Sequence, residues 1–175
     1  MEISIIGWIH TVLGTLAIFV SIYIIATQGL ISSKNLLGKF YVFATFITGA
    51  TALTMYKNGF NPAHILAILT IIAVCVGLLS EKYKIFGISK YLQALSYTGS
   101  ILFHLIPGIA EVNKRLPLNN PMGLSVDDPV NIRYYLIFTM VVVITILLQF
   151  FAIWKNGSRG YFSSNKNVID RTRRH

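Results

Sequence analysis

Charge is scarce in this chain of 175 residues. Asp, Glu, Lys and Arg make up only 12% of it and hydrophobic residues 54%, whereas a soluble domain carries about 25% charged residues. This shortage argues against a soluble globular protein and predicts a membrane protein. The formal net charge is +9, but the basic residues lie in short connections and in the C-terminal tail. Nucleic-acid binding, which needs an exposed basic face, is therefore not expected.

Cysteine and the common catalytic motifs are equally sparse. The one cysteine, Cys75, excludes an intramolecular disulfide, and its place inside an apolar run predicts a small buried core residue. The sequence contains no Gly-rich phosphate loop, no CxxC, no HExxH and no internal repeat. No catalytic residue can therefore be assigned, and the sequence does not decide whether the chain is an enzyme.

Long apolar stretches are what the sequence has instead, and there are five: residues 3–27, 36–56, 62–80, 91–110 and 132–154. About 20 helical residues cross the roughly 30 Å hydrocarbon core of a bilayer. The first stretch is not a secretory signal, because Glu2 and no Lys or Arg precedes it. Asn61 and Pro62 predict the start of the third helix, and Pro107 predicts either a kink in the fourth helix or its early end. We predict an all-α bundle of five transmembrane helices within residues 1–154, followed by a basic tail, residues 155–175.

Basic residues predict the orientation of this bundle. Of the 15 Lys and Arg residues, two lie in the connection after the first span, three in the connection after the third and six in the tail, all on one side. Four lie on the other side, together with four of the six acidic residues. Because Lys and Arg are enriched in cytoplasmic segments, we expect the N-terminus outside and the tail in the cytoplasm. The tail is also expected to bind anionic lipids of the bilayer surface.

Three histidines and one glutamate gather in the outer half of this predicted bundle. His10 in the first span and His104 in the fourth lie at similar depths, His64 is in the first turn of the third span, and Glu111 stands at the rim. An ionisable side chain inside a membrane segment is costly, so it is a candidate functional residue. Small residues surround the His10 face of its helix and allow close approach: Gly7, Gly14, Ala17 and Ser21.

These residue types suit a cofactor or a metal. His10 and His104 on different helices could ligate a b-type haem, and with His64 or Glu111 as a third ligand they could hold a transition metal such as copper or zinc. Purely structural alternatives exist for each residue. His10 could bond a backbone carbonyl or a threonine across helices, His64 could be an interfacial residue at a helix start, and His104 with Glu111 could be a polar pair at the rim. The aromatic residues Tyr97, Phe103, Tyr134 and Tyr135 are expected to face lipid.

Four stretches carry a family resemblance: IHTVLGTLAIFVSIYIIATQG, KNLLGKFYVFATFITGATAL, GFNPAHILAILTIIAVCVGLL and FHLIPGIAEVNKRLP, within residues 9–117. They resemble an uncharacterised bacterial family of multi-pass membrane proteins, classed as a domain of unknown function. The resemblance implies the same membrane topology in a bacterial inner membrane, and it implies no activity. The matching positions are His10, Gly14, Leu37, Gly38, Lys39, His64, His104, Pro107, Glu111 and Arg115. The chain lacks two histidines that many members have, one before Leu36 and one in the loop 85–90, so a second haem is not expected.

Three functions are compatible with these observations. The first is an outer-leaflet haem or metal site. If this site transfers electrons, the protein needs a membrane redox partner or a quinone. The second is a small transporter or proton-linked carrier, in which the same histidines and Glu111 bind a proton or cargo. The third is an accessory subunit without a cofactor. A carrier needs polar groups on a path to both sides of the membrane. The sequence offers few in the inner half of the bundle, mainly Gln28, Thr45, Thr48 and Ser80. This shortage argues against the carrier.

Overall fold

Five helices make up the fold in a computed structural model that describes residues 4–55, 59–83, 87–115, 123 and 125–172, with side chains described as far as Asn156. They are α1 (Ile5–Gln28), α2 (Leu36–Thr54), α3 (Pro62–Lys82), α4 (Ser89–Arg115) and α5 (Pro129–Thr172). The prediction of an all-α protein is confirmed.

Four of these helices are long and apolar enough to cross a membrane, namely α1, α2, α3 and the Pro129–Asn156 part of α5. Among the described residues α4 does not meet that criterion, although its 27 residues give it a length of about 40 Å. The reason is its composition, since α4 buries many polar side chains inside the bundle: Gln93, Ser96, Thr98, Ser100, His104 and Asn113. Mean hydropathy counts all faces of a helix equally. It is therefore low for α4, although neighbouring helices cover the polar side chains.

Helix α4 lies at the centre of the bundle. α1 packs on α2, α2 on α3, α3 on α4 and α4 on α5, and α1 also contacts α4. Hydrogen bonds fix the relative direction of the helices: Gln93, near the start of α4, bonds Ile31, just after the end of α1. At the other end Asn113 of α4 bonds Asn131 at the start of α5. We call the end that holds the α1–α2 connection (residues 29–35) the Ser33 end, and the opposite end, where α3 begins, the Asn61 end.

Helix boundaries follow from capping residues. Ser4, Asn35 and Asn61 cap the starts of α1, α2 and α3 through their side chains, each accepting a backbone N–H of the first turn. Pro62 occupies the first turn of α3, so the predicted start of the third helix is confirmed. Gly29 ends α1 with φ 75°, a conformation that favours glycine because it has no Cβ.

The packing of α1 on its neighbours depends on small side chains. Its buried residues are Gly7, Gly14, Ala17, Ser21 and Ile24, so the predicted small-residue face is confirmed. The largest buried side chains of the described chain are Tyr41 of α2 and Tyr97 of α4, and both are fully buried. Their rings meet edge to face with centroids 6.2 Å apart, a favourable arrangement for aromatic pairs.

Several details differ from the sequence predictions. Cys75 is exposed on the outer surface of α3 rather than buried, because the helix turns its Val74 and Gly77 side to the core. Tyr97 is fully buried and does not face lipid. Helix α4 continues through Pro107 to Arg115, and α5 continues as a helix to Thr172. In the long connection, residues 116–122 and 124 lie outside the described residues, as do the side chains of the basic tail beyond Asn156.

Candidate functional site

His10 lies in the second turn of α1 and is held by α2. Its Nδ1 atom is 3.0 Å from the Thr48 carbonyl oxygen and 3.2 Å from the Thr51 hydroxyl oxygen. A carbonyl oxygen can only accept, so Nδ1 carries the proton, and Nε2 of the neutral ring keeps a lone pair. The predicted alternative, a hydrogen bond to a carbonyl and a threonine on another helix, is confirmed. It orients the ring without using Nε2.

His104 of α4 lies in the same region of the bundle as His10 of α1. It is 8% exposed, and its Nε2 atom is buried and makes no hydrogen bond to any described residue. The two imidazoles are near enough to interact electrostatically, in keeping with the contact between α1 and α4. A buried polar atom without a hydrogen bond costs about 1–3 kcal/mol. The structure thus brings together the two histidines on which the predicted site was centred, and it leaves acceptor capacity on both.

His64 has a structural task at the start of α3. Its Nδ1 accepts a hydrogen bond from the backbone N–H of Asn61, 3.1 Å away, while the Asn61 side chain caps the helix in return. The ring also stacks on Phe60, with centroids 5.4 Å apart. A neutral imidazole has only one lone-pair nitrogen, and His64 uses it in this capping box. That nitrogen is therefore not available to a metal or haem iron.

Glu111 is exposed at the end of α4 and forms an ion pair with Arg115, one helical turn further on. It is seven residues beyond His104, about 10 Å along the helix axis. Within the described residues no group of three or more His, Cys, Asp or Glu side chains could hold a metal ion. The structure places Glu111 and His64 in local pairs of their own, and only His10 and His104 remain together as a candidate site.

A second polar site, which the sequence analysis did not identify, lies at the Ser33 end around Glu81. Its carboxylate accepts hydrogen bonds from the Ser33 backbone N–H at 2.8 Å, the Ser33 hydroxyl at 2.9 Å and the Ser32 hydroxyl at 3.1 Å. The Tyr97 phenol lies near this carboxylate and near Ser33, although its oxygen is outside hydrogen-bond geometry. Glu81 thus connects α3 to the α1–α2 connection (residues 29–35) and faces α4.

Two glutamines hold the same connection from the other side. Gln93 of α4 donates to the Ile31 carbonyl at 2.7 Å, and Gln149 of α5 donates to the Gly29 carbonyl at 2.8 Å. Gln149 also accepts from the Thr98 hydroxyl at 2.9 Å. Both glutamines are at most 8% exposed, so their amides satisfy carbonyl groups that would otherwise be buried without partners. Three helices therefore fix the conformation of the α1–α2 connection.

Hydroxyl groups occupy the core between the two sites. The Tyr41 hydroxyl donates to the Tyr97 carbonyl at 2.8 Å and shares a hydrogen bond of 2.7 Å with the Ser100 hydroxyl. Thr45 lies near Tyr41, one turn further along α2, and Ser100 is one turn from His104 on α4. We call these groups the polar row: Glu81, Tyr97, Tyr41, Ser100 and Thr45.

The sequence contained a signal for this row. Positions 93, 97, 100 and 104 of α4 recur at helical spacing, as do positions 41, 45 and 48 of α2. That pattern places the polar and phenolic side chains of each helix on one face. The row was not identified from the sequence because the predicted third span ends at residue 80, before Glu81, and Tyr97 was expected to face lipid.

Comparison with known proteins gives no match. No protein-family model matches the chain, and no curated protein or solved structure matches it. The resemblance to an uncharacterised bacterial membrane family therefore stays a prediction from the quoted stretches.

Proposed function

We propose that the chain is a proton-linked membrane carrier in which the His10–His104 pair binds the proton. The observation that carries this proposal is that the buried imidazole of His104 and the half-buried imidazole of His10 lie within electrostatic range of each other and have unused acceptor capacity. Imidazole is the side chain whose ordinary pKa lies nearest neutrality, so it exchanges protons under physiological conditions. The residues assigned to proton binding are His10 and His104, and neither His64 nor Glu111 is needed.

The polar row supports a carrier over the other candidate functions. A carrier requires polar groups on a path to both sides of the membrane, and the sequence suggested few in the half away from the histidines. Tyr97 and Ser100 supply them in that half within the core of the bundle, and Glu81 supplies one at its partly buried end. Ionisable groups inside a membrane bundle commonly form such proton relays.

Membrane topology is part of the same proposal. We propose that all five helices span, α4 included, with the Asn61 end outside and the Ser33 end in the cytoplasm of a bacterial inner membrane. The support is that α4 is long enough and is covered by α1, α3 and α5. The lipid bilayer is then the partner of the exposed apolar surface, and the basic tail binds anionic lipids.

Proton flux into liposomes tests the function. Full-length protein is reconstituted with an entrapped pH-sensitive dye, and a potassium–valinomycin potential drives proton entry. We expect flux above that of protein-free liposomes, and a reduction of about tenfold or more in His104→Gln. His64→Gln is the matched control, since glutamine can keep a capping box. Flux no higher than in empty liposomes, or equal flux in His104→Gln, would refute proton carriage by this pair.

Ligation of haem iron or of a transition metal by the same pair is the second candidate. It is favoured by the Thr48 carbonyl, which fixes the tautomer of His10 as outer-shell partners of metal-binding histidines do. Two imidazoles suffice for a b-type haem, whereas the described residues offer no third ligand for a metal ion. Bound haem would exchange electrons with a quinone or a membrane redox partner.

An absorption spectrum separates the two candidates. Protein purified in mild detergent from haem-replete cells is measured oxidised and reduced, with elemental analysis of the same sample. A Soret band that disappears in His10→Ala and in His104→Ala would establish the haem protein and replace the carrier. Colourless, metal-free protein that still conducts protons would eliminate ligation.

A further inference from the structure

We propose that Glu81 is a proton-exchange site at the Ser33 end, through which protons enter or leave the polar row that leads to His104. This inference rests on the proposed proton-linked function and adds a specific group at the opposite end of the bundle. Glu81 is partly buried at the end of α3, so its carboxylate reaches both the aqueous boundary and the core.

Hydroxyl and amide donors, rather than a cation, surround this carboxylate. Ser33 and Ser32 supply three hydrogen bonds, and no Lys or Arg of the described residues forms an ion pair with Glu81. The charged neighbour on its own helix, Lys82, lies over the Tyr83 ring at 5.3 Å from the centroid, and Lys34 is exposed in the α1–α2 connection. A carboxylate without a salt bridge can gain and lose a proton without breaking an ion pair.

Tyr97 lies between Glu81 and the core of the bundle. Its phenol faces the carboxylate, and the oxygen is buried with no hydrogen bond inside geometric limits. The Tyr97 ring abuts Tyr41, whose hydroxyl is bonded to Ser100. Ser100 stands one helical turn from His104 on α4, about 6 Å along the helix axis, and the proposal requires a bridging water between the two side chains.

The proposed step moves one proton and no electrons. The protonated Glu81 carboxyl breaks its O–H bond and gives the proton to the adjacent phenol oxygen or a bridging water. Each hydroxyl of the row accepts a proton on its lone pair while its own O–H proton passes to the next group, and a bridging water carries the proton from the Tyr97 hydroxyl to the Tyr41 hydroxyl, which are not hydrogen-bonded to each other. The last proton forms an N–H bond at the unprotonated ring nitrogen of His104, and Glu81 is left as the carboxylate. No oxidant or reductant is required.

A purely structural role for Glu81 makes a different prediction. If the carboxylate only anchors the α1–α2 connection, Glu81→Gln should be nearly silent, because the amide oxygen still accepts from the Ser33 N–H and the amide nitrogen can donate to the serine hydroxyls. If Glu81 exchanges protons, Glu81→Gln removes function while leaving the fold intact, and Glu81→Asp restores part of it.

The test uses the full chain in the liposome assay, with Glu111→Gln as the matched control glutamate. We expect Glu81→Gln to lower proton flux by about tenfold or more, Glu111→Gln to leave it unchanged, and Glu81→Asp to recover part of it. Thermal unfolding in detergent checks that each variant is folded. Infrared difference spectra across a pH change should show a protonated-carboxyl band that Glu81→Gln removes.

The outcomes separate this inference from the function on which it rests. Loss of flux in His104→Gln with full flux and an unchanged infrared band in Glu81→Gln would overturn the Glu81 site and leave the carrier standing. Absence of flux in the wild-type protein would overturn both. Equal loss of flux in Glu81→Gln and Glu111→Gln would also overturn the Glu81 site, since the loss would then follow from replacing either glutamate.

Discussion

Single side chains in this protein divide into those that hold helix ends and those that sit between helices. His64 belongs to the first class, and its capping box predicts a stability effect. We expect His64→Ala to lower the free energy of unfolding by about 1 kcal/mol, because the Asn61 N–H loses its acceptor. His64→Gln should be close to wild type. Denaturation in detergent, followed by circular dichroism, measures both, and equal stability of His64→Ala and wild type would contradict the capping role.

Tyr41 belongs to the second class. Its hydroxyl bonds the Tyr97 carbonyl and Ser100 in the fully buried core. We expect Tyr41→Phe to lower the free energy of unfolding by about 1–3 kcal/mol and to reduce proton flux in the liposome assay. Tyr23→Phe is the control, because Tyr23 is 58% exposed. Equal free energies of unfolding for Tyr41→Phe and Tyr23→Phe would show that the Tyr41 hydroxyl does not contribute to stability.

At the scale of whole helices, close approach between α3 and α4 depends on Gly77. A Cβ at this position would lie 2.7 Å from Tyr97 Cδ1 and Cζ, and the ring is fully buried. We expect Gly77→Ala to lower the free energy of unfolding by about 1–3 kcal/mol through overpacking. It should also displace the Tyr97 phenol from Glu81 and lower proton flux.

A second glycine offers the comparison that separates packing from helix propensity. A Cβ added at Gly99 of α4 would meet no atom within 4 Å, so Gly99→Ala should be neutral or should stabilise the helix by up to about 1 kcal/mol. Melting temperatures of the two variants in the same detergent test this contrast. Equal destabilisation by Gly77→Ala and Gly99→Ala would refute the packing explanation.

For the whole molecule, the deciding feature is whether α4 crosses the bilayer. In the proposed topology Lys34 and Asp127, both outside the buried core, lie on opposite sides of the membrane. With Cys75 replaced by alanine, we expect Asp127→Cys to react with a membrane-impermeant maleimide on intact spheroplasts. Lys34→Cys should react only after the membrane is permeabilised.

The other labelling patterns are equally informative. Reaction of both cysteines on the same side would mean that α4 returns without crossing, which contradicts five spans. Reaction of Lys34→Cys alone in intact spheroplasts would keep five spans and reverse the orientation. The distribution of Lys and Arg predicts that only Asp127→Cys reacts in intact spheroplasts.

The sequence by itself determined the helices. Apolar runs of sufficient length, with Asn61–Pro62 at the start of α3 and small residues along one face of α1, follow from local physics that every helix obeys. The same reasoning brought His10 and His104 into one region, because an up-and-down topology fixes the depth of each residue along its helix. Rotation about the helix axis is not fixed in this way, and for that reason the predictions for Cys75 and Tyr97 were wrong.

The tertiary structure decided which polar groups meet. Glu81 gains its partners from Ser32 and Ser33, about fifty residues earlier in the chain, and only the packing of α3 against the α1–α2 connection brings them together. His64 and Glu111, grouped with His10 and His104 in the sequence analysis, find local partners instead, because Asn61 and Arg115 stand one turn away. Hydrogen bonds are directional and short-ranged, so they depend on helix rotation and loop conformation, which composition and periodicity leave open.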